Sequence, residues 1–274
     1  MIDIKNEDCK ITLQRMIDEN KKIDVVLTSP FYNTNRSILV KERVGGPPEG
    51  RYDVHMDGMT TEEYVNFTVD LFNKFDKVLS KNGVILYNIC YGAENTEDMF
   101  LTISNLILKT SFTVADVICW KKKSAIPNNV SSNRLTRIWE FVFVIARKDE
   151  IDTFMCNKKI VSVSKSGQNI YENVFNFIEA PNNDGSCSLN KATYSTDLCE
   201  QLLGLYAKEG SVVYDPFMGT GTTAVACKRM GFDCYGSEIS ENQVKFAQNR
   251  LNGVDVYSFK DSKNIRRAKS LFDA

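Results

Sequence analysis

An α/β fold, with a mostly parallel central sheet and helices on both faces, is what this sequence predicts, on three observations. Short, continuously apolar runs with a β-branched bias recur along the chain, as strands buried on both faces require. Longer segments with apolar residues at helical spacing lie between them, so strand and helix alternate. At 274 residues, 43% of them hydrophobic, the chain can bury one large core, and residues 1–274 read as a single domain.

The first strand is expected at 24–28, where Val25, Val26 and Leu27 form an unbroken apolar run. Pro30 removes a backbone donor and ends its ladder. A helix follows at 61–80, capped by Thr60 or Thr61, and another at 95–109. Strands are expected at 83–88, 113–119 and 139–146. The last third continues with helix 196–208, strand 211–215, helix 221–230, strand 232–237 and helix 240–251. Three stretches break the alternation: 33–58 with its Gly45-Gly46-Pro47-Pro48, the basic connection 121–137, and the polar, irregular 149–190. Loops this long in a compact domain are usually functional or disordered. All three are expected to face one ligand.

Composition excludes several classes. The 34 basic and 35 acidic residues balance, so a polyanion surface has to come from local clustering, for which Lys121, Lys122, Lys123, Arg134 and Arg137 are the candidates. No apolar run approaches the length of a membrane span and MIDIKNEDCK has no signal-peptide core, so a soluble cytoplasmic protein is expected. Eight scattered cysteines, without a C-x-x-C pair and with His55 as the one histidine, predict reduced thiols and no metal site.

Two motifs carry chemistry. In VVYDPFMGTGTTAVACKRMGFDCYGSEIS, residues 212–240, a strand runs through Asp215-Pro216-Phe217 into Gly219-Thr220-Gly221-Thr222, then a helix, a strand and Glu238. The glycines permit a tight turn that a ligand can approach closely, and an acid at the tip of the next strand is placed to accept from both hydroxyls of a ribose. That combination indicates a nucleotide-like cofactor, either a dinucleotide or S-adenosylmethionine. The other motif is DVVLTSPFYNTNRS, residues 24–37, where an apolar strand meets serine, proline and two aromatic rings. Large rings directly after a strand end, in an otherwise polar segment, suggest that their faces are used.

Together, Ser29-Pro30-Phe31-Tyr32 and Asp215-Pro216-Phe217-Met218-Gly219-Thr220-Gly221 resemble the two signatures of the DNA amino-methyltransferases, [D/N/S]-P-P-[Y/F/W] and D-x-F-x-G-x-G. The catalytic motif comes first, as in the permuted β group of restriction-modification enzymes. The resemblance implies a Rossmann-like S-adenosylmethionine-dependent methyltransferase fold. It further implies prokaryotic or phage origin and a double-stranded DNA substrate faced by the three long stretches. A homodimer and a companion restriction endonuclease are partners it allows. Its implied cofactor residues are Asp215, Pro216, Phe217, Gly219, Gly221, Thr222 and Glu238, and its catalytic residues Ser29, Pro30, Phe31 and Tyr32. The chain departs from it at Phe31, where the family has a second proline.

The chemistry of the residues agrees. An exocyclic base amine is a poor nucleophile because its lone pair is delocalised into the ring. Acceptors such as Ser29 Oγ and the Pro30 carbonyl can take its hydrogens and localise that pair. Tyr32, with Phe31 as second candidate, can stack on a base flipped out of the duplex. Serine at the first position resembles the cytosine-N4 group, the expected specificity. Asn33-Thr34 resembles the adenine-N6 group, the alternative. Weaker readings are an NAD-type oxidoreductase, which would leave residues 29–32 without a purpose, and a non-catalytic DNA-binding relative.

Overall fold

The computed structural model describes residues 1–33, 58–91, 96–125, 127–129, 131–185, 189–190 and 192–253. The expected loop 33–58 therefore lies, but for its ends, outside the described residues. Ten strands are described: β1 Ile2–Asn6, β2 Ile23–Thr28, β3 Leu79–Ile89, β4 Phe112–Lys122, β5 Trp139–Arg147, β6 Ile160–Val163, β7 Asn169–Tyr171, β8 Phe177–Ala180, β9 Val212–Asp215 and β10 Asp233–Glu238. The helices are α1 Cys9–Asp18, α2 Thr61–Val78, α3 Glu97–Lys109, α4 Thr196–Tyr206, α5 Thr222–Met230 and α6 Glu241–Asn252.

Eight strands form one sheet in the order β1-β10-β9-β2-β3-β5-β4-β8, and β6 and β7 form a separate antiparallel pair. Within the large sheet β5 runs against both neighbours while the other pairings are parallel. Alternation along the strands divides the core in two. Val25, Leu27, Val84 and Leu86 pack with Leu198, Leu202 and Leu203 of α4 and Ala224 and Cys227 of α5. On the other face Val26, Ile85, Tyr87 and Tyr214 pack with Leu13 of α1, Leu71, Phe72 and Phe75 of α2 and Leu106 of α3. Both faces of β2 are thus covered, as its unbroken apolar run requires.

Helix starts are fixed by side chains. Thr60 caps α2 in a reciprocal box, Glu63 N donating to Thr60 Oγ1 (3.2 Å) and Thr60 N to Glu63 Oε2 (2.8 Å). Ser195 and Ser240 cap α4 and α6 by accepting from Leu198 N and Gln243 N.

Two expectations are corrected. The stretch 149–190 is not irregular throughout, since it carries β6, β7 and β8. It begins at the end of the sheet where the parallel strands start: Asn157 donates to the Gly204 and Ala207 carbonyls at the end of α4, and Met155 N to Asn82 O. The basic connection is also shorter than 121–137, because β4 runs on through Lys122.

Candidate active site

Order within the sheet places the site. The chain leaves β9 through α5 toward β10 on one side, and leaves β2 through α2 toward β3 on the other. Where connections diverge in this way, a crevice opens beyond the carboxyl ends of the two strands. A pocket of about 870 Å³, open solvent at its mouth included, occupies it, lined by Ser29, Pro30 and Phe31 after β2, by Pro216, Phe217, Met218, Gly219, Thr220 and Thr222 after β9, and by Glu238 and Ile239 after β10. Asp8 and Cys9 at the start of α1, Phe67 of α2, Gln243 of α6, and Asn190, Ala192, Thr193 and Tyr194 before α4 complete the wall.

The turn after β9 is built for close approach. Gly219 (φ 53°) and Gly221 (φ 81°) both adopt left-handed backbone. A Cβ at Gly219 would stand 3.2 Å from Asn190 Nδ2, and one at Gly221 would stand 2.6 Å from Ala247 Cβ. Gly219 therefore keeps the cavity wall open, while Gly221 lets α6 approach behind it. Met218 N donates to Ser237 O (2.9 Å) and Gly219 N to Glu238 Oε2 (2.8 Å), so the turn and the acid hold each other. Ser240 N donates to Glu238 Oε1 (2.9 Å), and Asn6 Nδ2 to the carbonyl of Glu238 (2.9 Å). Glu238 thus faces the cavity in a fixed orientation.

Asp215 lies beneath the wall rather than in it. It is buried, and its carboxylate accepts from Thr28 Oγ1 (2.6 Å), Phe217 N (3.0 Å), Thr223 Oγ1 (2.6 Å) and Tyr194 OH (3.2 Å). Burial pushes its carboxyl above the ordinary value, against the hydrogen bonds from Thr223, Thr28, Phe217 and Tyr194. It joins β2, β9, α5 and the segment before α4. Its expected place in the cofactor site becomes that of a support for the wall, as does that of Gly221.

Ser29 and Pro30 stand at the rim after β2, and the two rings beyond them diverge. Phe31 turns inward against Tyr64 (5.4 Å between centroids), Phe67 (5.7 Å) and Phe217 (5.8 Å), and its carbonyl accepts from Tyr64 OH (3.0 Å). Tyr32 runs the other way, its hydroxyl donating to Glu140 Oε2 of β5 (3.2 Å). Asn33 then clasps the chain: Oδ1 accepts from Gly58 N and Met59 N, and Nδ2 donates to Met59 O. Phe31, expected beside Tyr32 as part of a base platform, is packed against three rings and forms part of the cavity wall.

The basic candidates separate too. Lys122 Nζ donates to Glu140 Oε1 (2.5 Å), a half-buried pair, and Lys121 pairs with Glu179 (2.8 Å). Arg137 donates to the Tyr91 carbonyl and covers the Tyr91 ring (5.3 Å). Lys123 and Arg134 are exposed. Lys122, expected on DNA, is engaged by the same Glu140 carboxylate that accepts from Tyr32 OH. Among the described residues, no group of His, Cys, Asp or Glu could hold a metal ion, and no helix is long and apolar enough to cross a membrane.

Burial pushes the Cys9 thiol up to about 12, with the Asp8 carboxylate adding to it, so the sulfur beside the cavity stays a thiol at neutral pH. Asp8, Cys9, Phe67 and Gln243 are wall residues that motif reading did not assign. Asp8 carried a signal, since an acid before Cys9, Leu13 and Met16 at helical spacing marks a helix start that faces the sheet end.

The cavity suits an adenosyl cofactor. Phe31, Phe67, Phe217 and Ile239 give it an apolar wall, and Glu238 supplies two carboxylate oxygens at the tip of β10. Glu238→Ala is expected to weaken binding of S-adenosylmethionine by about 1.5–3 kcal/mol, the scale of hydrogen bonds to a charged group. Calorimetric titration checks this, and unchanged affinity would remove Glu238 from the site.

Comparison with known proteins gives a consistent result. Residues 23–249 match the family described as DNA methylase, of N6 and N4 type. The Type II methyltransferase M.MwoI of Methanothermobacter wolfeii is 25% identical over 229 residues, 81% of this chain. The match takes in 30% of that relative's length. Among solved structures, the cytosine-N4-specific PvuII DNA methyltransferase aligns with a TM-score of 0.67 at 15% identity, covering 96% of this chain and 90% of that one. The M1.HpyAVI–SAM complex aligns at 0.60 with 20% identity, covering 92% and 100%. At such identities the structures establish the fold, that of S-adenosylmethionine-dependent methyltransferases.

Proposed function

This chain belongs to the N6/N4 DNA methylase family by its match over residues 23–249, and from that premise we propose that it methylates an exocyclic amine of a base flipped out of double-stranded DNA. One observation carries the proposal: Ser29 and Pro30 share a single cavity with Gly219 and Glu238, although nearly two hundred residues separate them in sequence. An acceptor pair for an amine and a ribose-binding acid in one crevice have a joint use in methyl transfer.

S-adenosylmethionine bound there supplies an electrophilic methyl group. Glu238 holds the ribose hydroxyls, the open backbone at Gly219 admits the ligand, and the apolar wall with Phe31 and Phe217 excludes water from it. Ser29 Oγ and the Pro30 carbonyl accept the hydrogens of the amine and draw its lone pair out of the ring; on transfer the N–C bond would form as the sulfonium S–C bond breaks to leave S-adenosylhomocysteine, and the nitrogen's surplus proton would then pass to solvent. Tyr32 stacks on the extruded base. No covalent bond to the protein is needed, which accords with a Cys9 sulfur kept as thiol.

Cytosine N4 is the proposed target, because a neutral serine in the first motif position accepts from the amine without adding charge beside the ring. Adenine N6 is the second reading, favoured by Asn33, whose clasp holds the end of the motif. Incubation with unmodified bacterial DNA and methyl-labelled S-adenosylmethionine, digestion to nucleosides and mass spectrometry decide between them. N4-methylcytosine is expected. N6-methyladenine would reassign the base, and 5-methylcytosine or no transfer would overturn the mechanism.

DNA is expected to cross the exposed basic connection. Charge reversal of Lys123 and Arg134 should weaken binding across all sequences and lower the salt slope by about one per lost phosphate contact. Filter binding at several salt concentrations measures both quantities. Lys121→Glu should do less, since Glu179 already engages that charge.

A further inference from the structure

We propose that Glu140 is a positioning residue that fixes the Tyr32 ring in place of the missing second proline of the catalytic motif. This inference rests on the reading of Ser29 to Tyr32 as the base-capturing segment.

A proline at position 31 would fix φ and stiffen the turn. Phe31 leaves that torsion free, so the direction of the next ring has to be set by contacts. The segment is gripped at two points. Upstream, Phe31 is buried among three rings and its carbonyl accepts from Tyr64 OH at 3.0 Å. Downstream, the Tyr32 hydroxyl reaches Glu140 Oε2 at 3.2 Å. The hydroxyl is the distal atom of the ring, so this bond fixes the ring's direction as well as its position.

Glu140 is itself immobilised. Its other oxygen accepts from Lys122 Nζ at 2.5 Å, and Asn88 Nδ2 lies 3.5 Å from Oε2 while donating to the Phe141 carbonyl at 2.8 Å. The side chains of Glu140 and Lys122 are 16% and 23% exposed, so their attraction is less screened than at an open surface. Register explains the pairing: Trp120 of β4 stands opposite Glu140 of β5, which puts Lys122 on the diagonal of the same face. Three strand ends, those of β3, β4 and β5, thereby hold one carboxylate against one phenol. A half-buried acid between two strand ends would otherwise be a costly choice.

The test compares Glu140→Gln, Glu140→Ala, Tyr32→Phe and the Tyr32→Phe/Glu140→Ala double variant. Steady-state methyl transfer from labelled S-adenosylmethionine to unmodified bacterial DNA is read as kcat and KM, with cofactor affinity by calorimetry. Tyr32→Phe and Glu140→Ala are each expected to lower kcat/KM for DNA by about tenfold, as loss of one hydrogen bond to a charged group does. Cofactor affinity stays at the parent value. Glu140→Gln, which keeps an acceptor for the phenol, should restore most of the loss. The double variant should be no worse than the poorer single one, because both remove the same contact. Multiplying losses, or a harmless Tyr32→Phe beside a damaging Glu140→Ala, would overturn the proposal, the latter outcome placing Glu140 directly on the base. Should Glu140→Ala fail to fold, Tyr32→Phe and Glu140→Gln decide alone: parent-like kcat/KM in Tyr32→Phe refutes it. Absence of transfer by the parent protein would refute the function reading itself, and this inference with it.

Discussion

Ser29→Ala is expected to lower turnover by roughly 10²- to 10³-fold, the scale for one hydrogen-bond partner needed only in a transition state. Cofactor affinity should stay unchanged. The reason is differential. In the ground state the base amine is planar and weakly demanding, and water or the Pro30 carbonyl can satisfy it. As the amine attacks, its nitrogen gains positive charge and its hydrogens become strong donors, so the acceptor matters most at that moment. The substitution removes one oxygen from a half-buried rim position and leaves the turn at Gly219 and the acid Glu238 untouched. Single-turnover transfer with labelled cofactor, beside calorimetric titration, separates the two effects. Parent-like turnover, or an equal loss of cofactor affinity, would remove Ser29 from the chemistry.

That division of labour follows from the sheet. The cofactor wall is made by β9, β10 and the turns after them, while the amine acceptors follow β2 across the switch point. The Tyr32 end then continues over β3, β5 and β4, where Asn88, Glu140 and Lys122 meet it. On the proposed function, cofactor and base would approach this strand end from its two sides.

Much of this was legible in the sequence because the signals were local. The six strands expected from apolar runs are β2, β3, β4, β5, β9 and β10, and the five expected helices are α2 to α6. Strand β1 escaped because an edge strand that is only half covered, Ile2–Asn6, needs little apolar run. The β6–β7 pair escaped because its residues are exposed and carry no burial pattern. Helix α1 carries a readable cap in Asp8 and an apolar stripe in Cys9, Leu13 and Met16.

Site residues divide in the same way. Ser29, Pro30, Gly219 and Glu238 sit within contiguous motifs and could be named, whereas Asp8, Phe67 and Gln243 reach the cavity only through packing of three separate helices. A run of three lysines does not reveal that Lys122 faces a carboxylate. Its partner Glu140 becomes visible once the antiparallel pairing of β4 and β5 is written out, since only then do the two share a face. Asp215 shows the converse: the motif names it, and only burial reveals that it supports the site from behind.

Asp215→Ala is accordingly expected to destabilise the fold and not merely the site. Removal of the carboxylate leaves Thr28 Oγ1, Thr223 Oγ1, Tyr194 OH and Phe217 N without their shared acceptor in a buried setting. Thr223 and Tyr194 can still bond each other at 2.6 Å, which limits the loss. A cost of about 3–5 kcal/mol is the scale for breaking such a buried network, and it corresponds to a fall in Tm of roughly 10 °C for a chain of this size. Cofactor binding should weaken as well, because Phe217 and the turn after it lose their anchor to β2. The pH dependence has a definite sign. Burial raises the folded-state value of Asp215 above the ordinary 3.8, so its titration contributes stability that is full below that ordinary value and lost as pH rises through the raised one. Alanine does not titrate. The deficit of the variant relative to the parent should therefore be greatest at acid pH and shrink as pH rises toward neutrality. Urea unfolding of both proteins across that range measures it. A deficit that grows with pH would mean that the four donors outweigh burial and hold the carboxyl below its ordinary value.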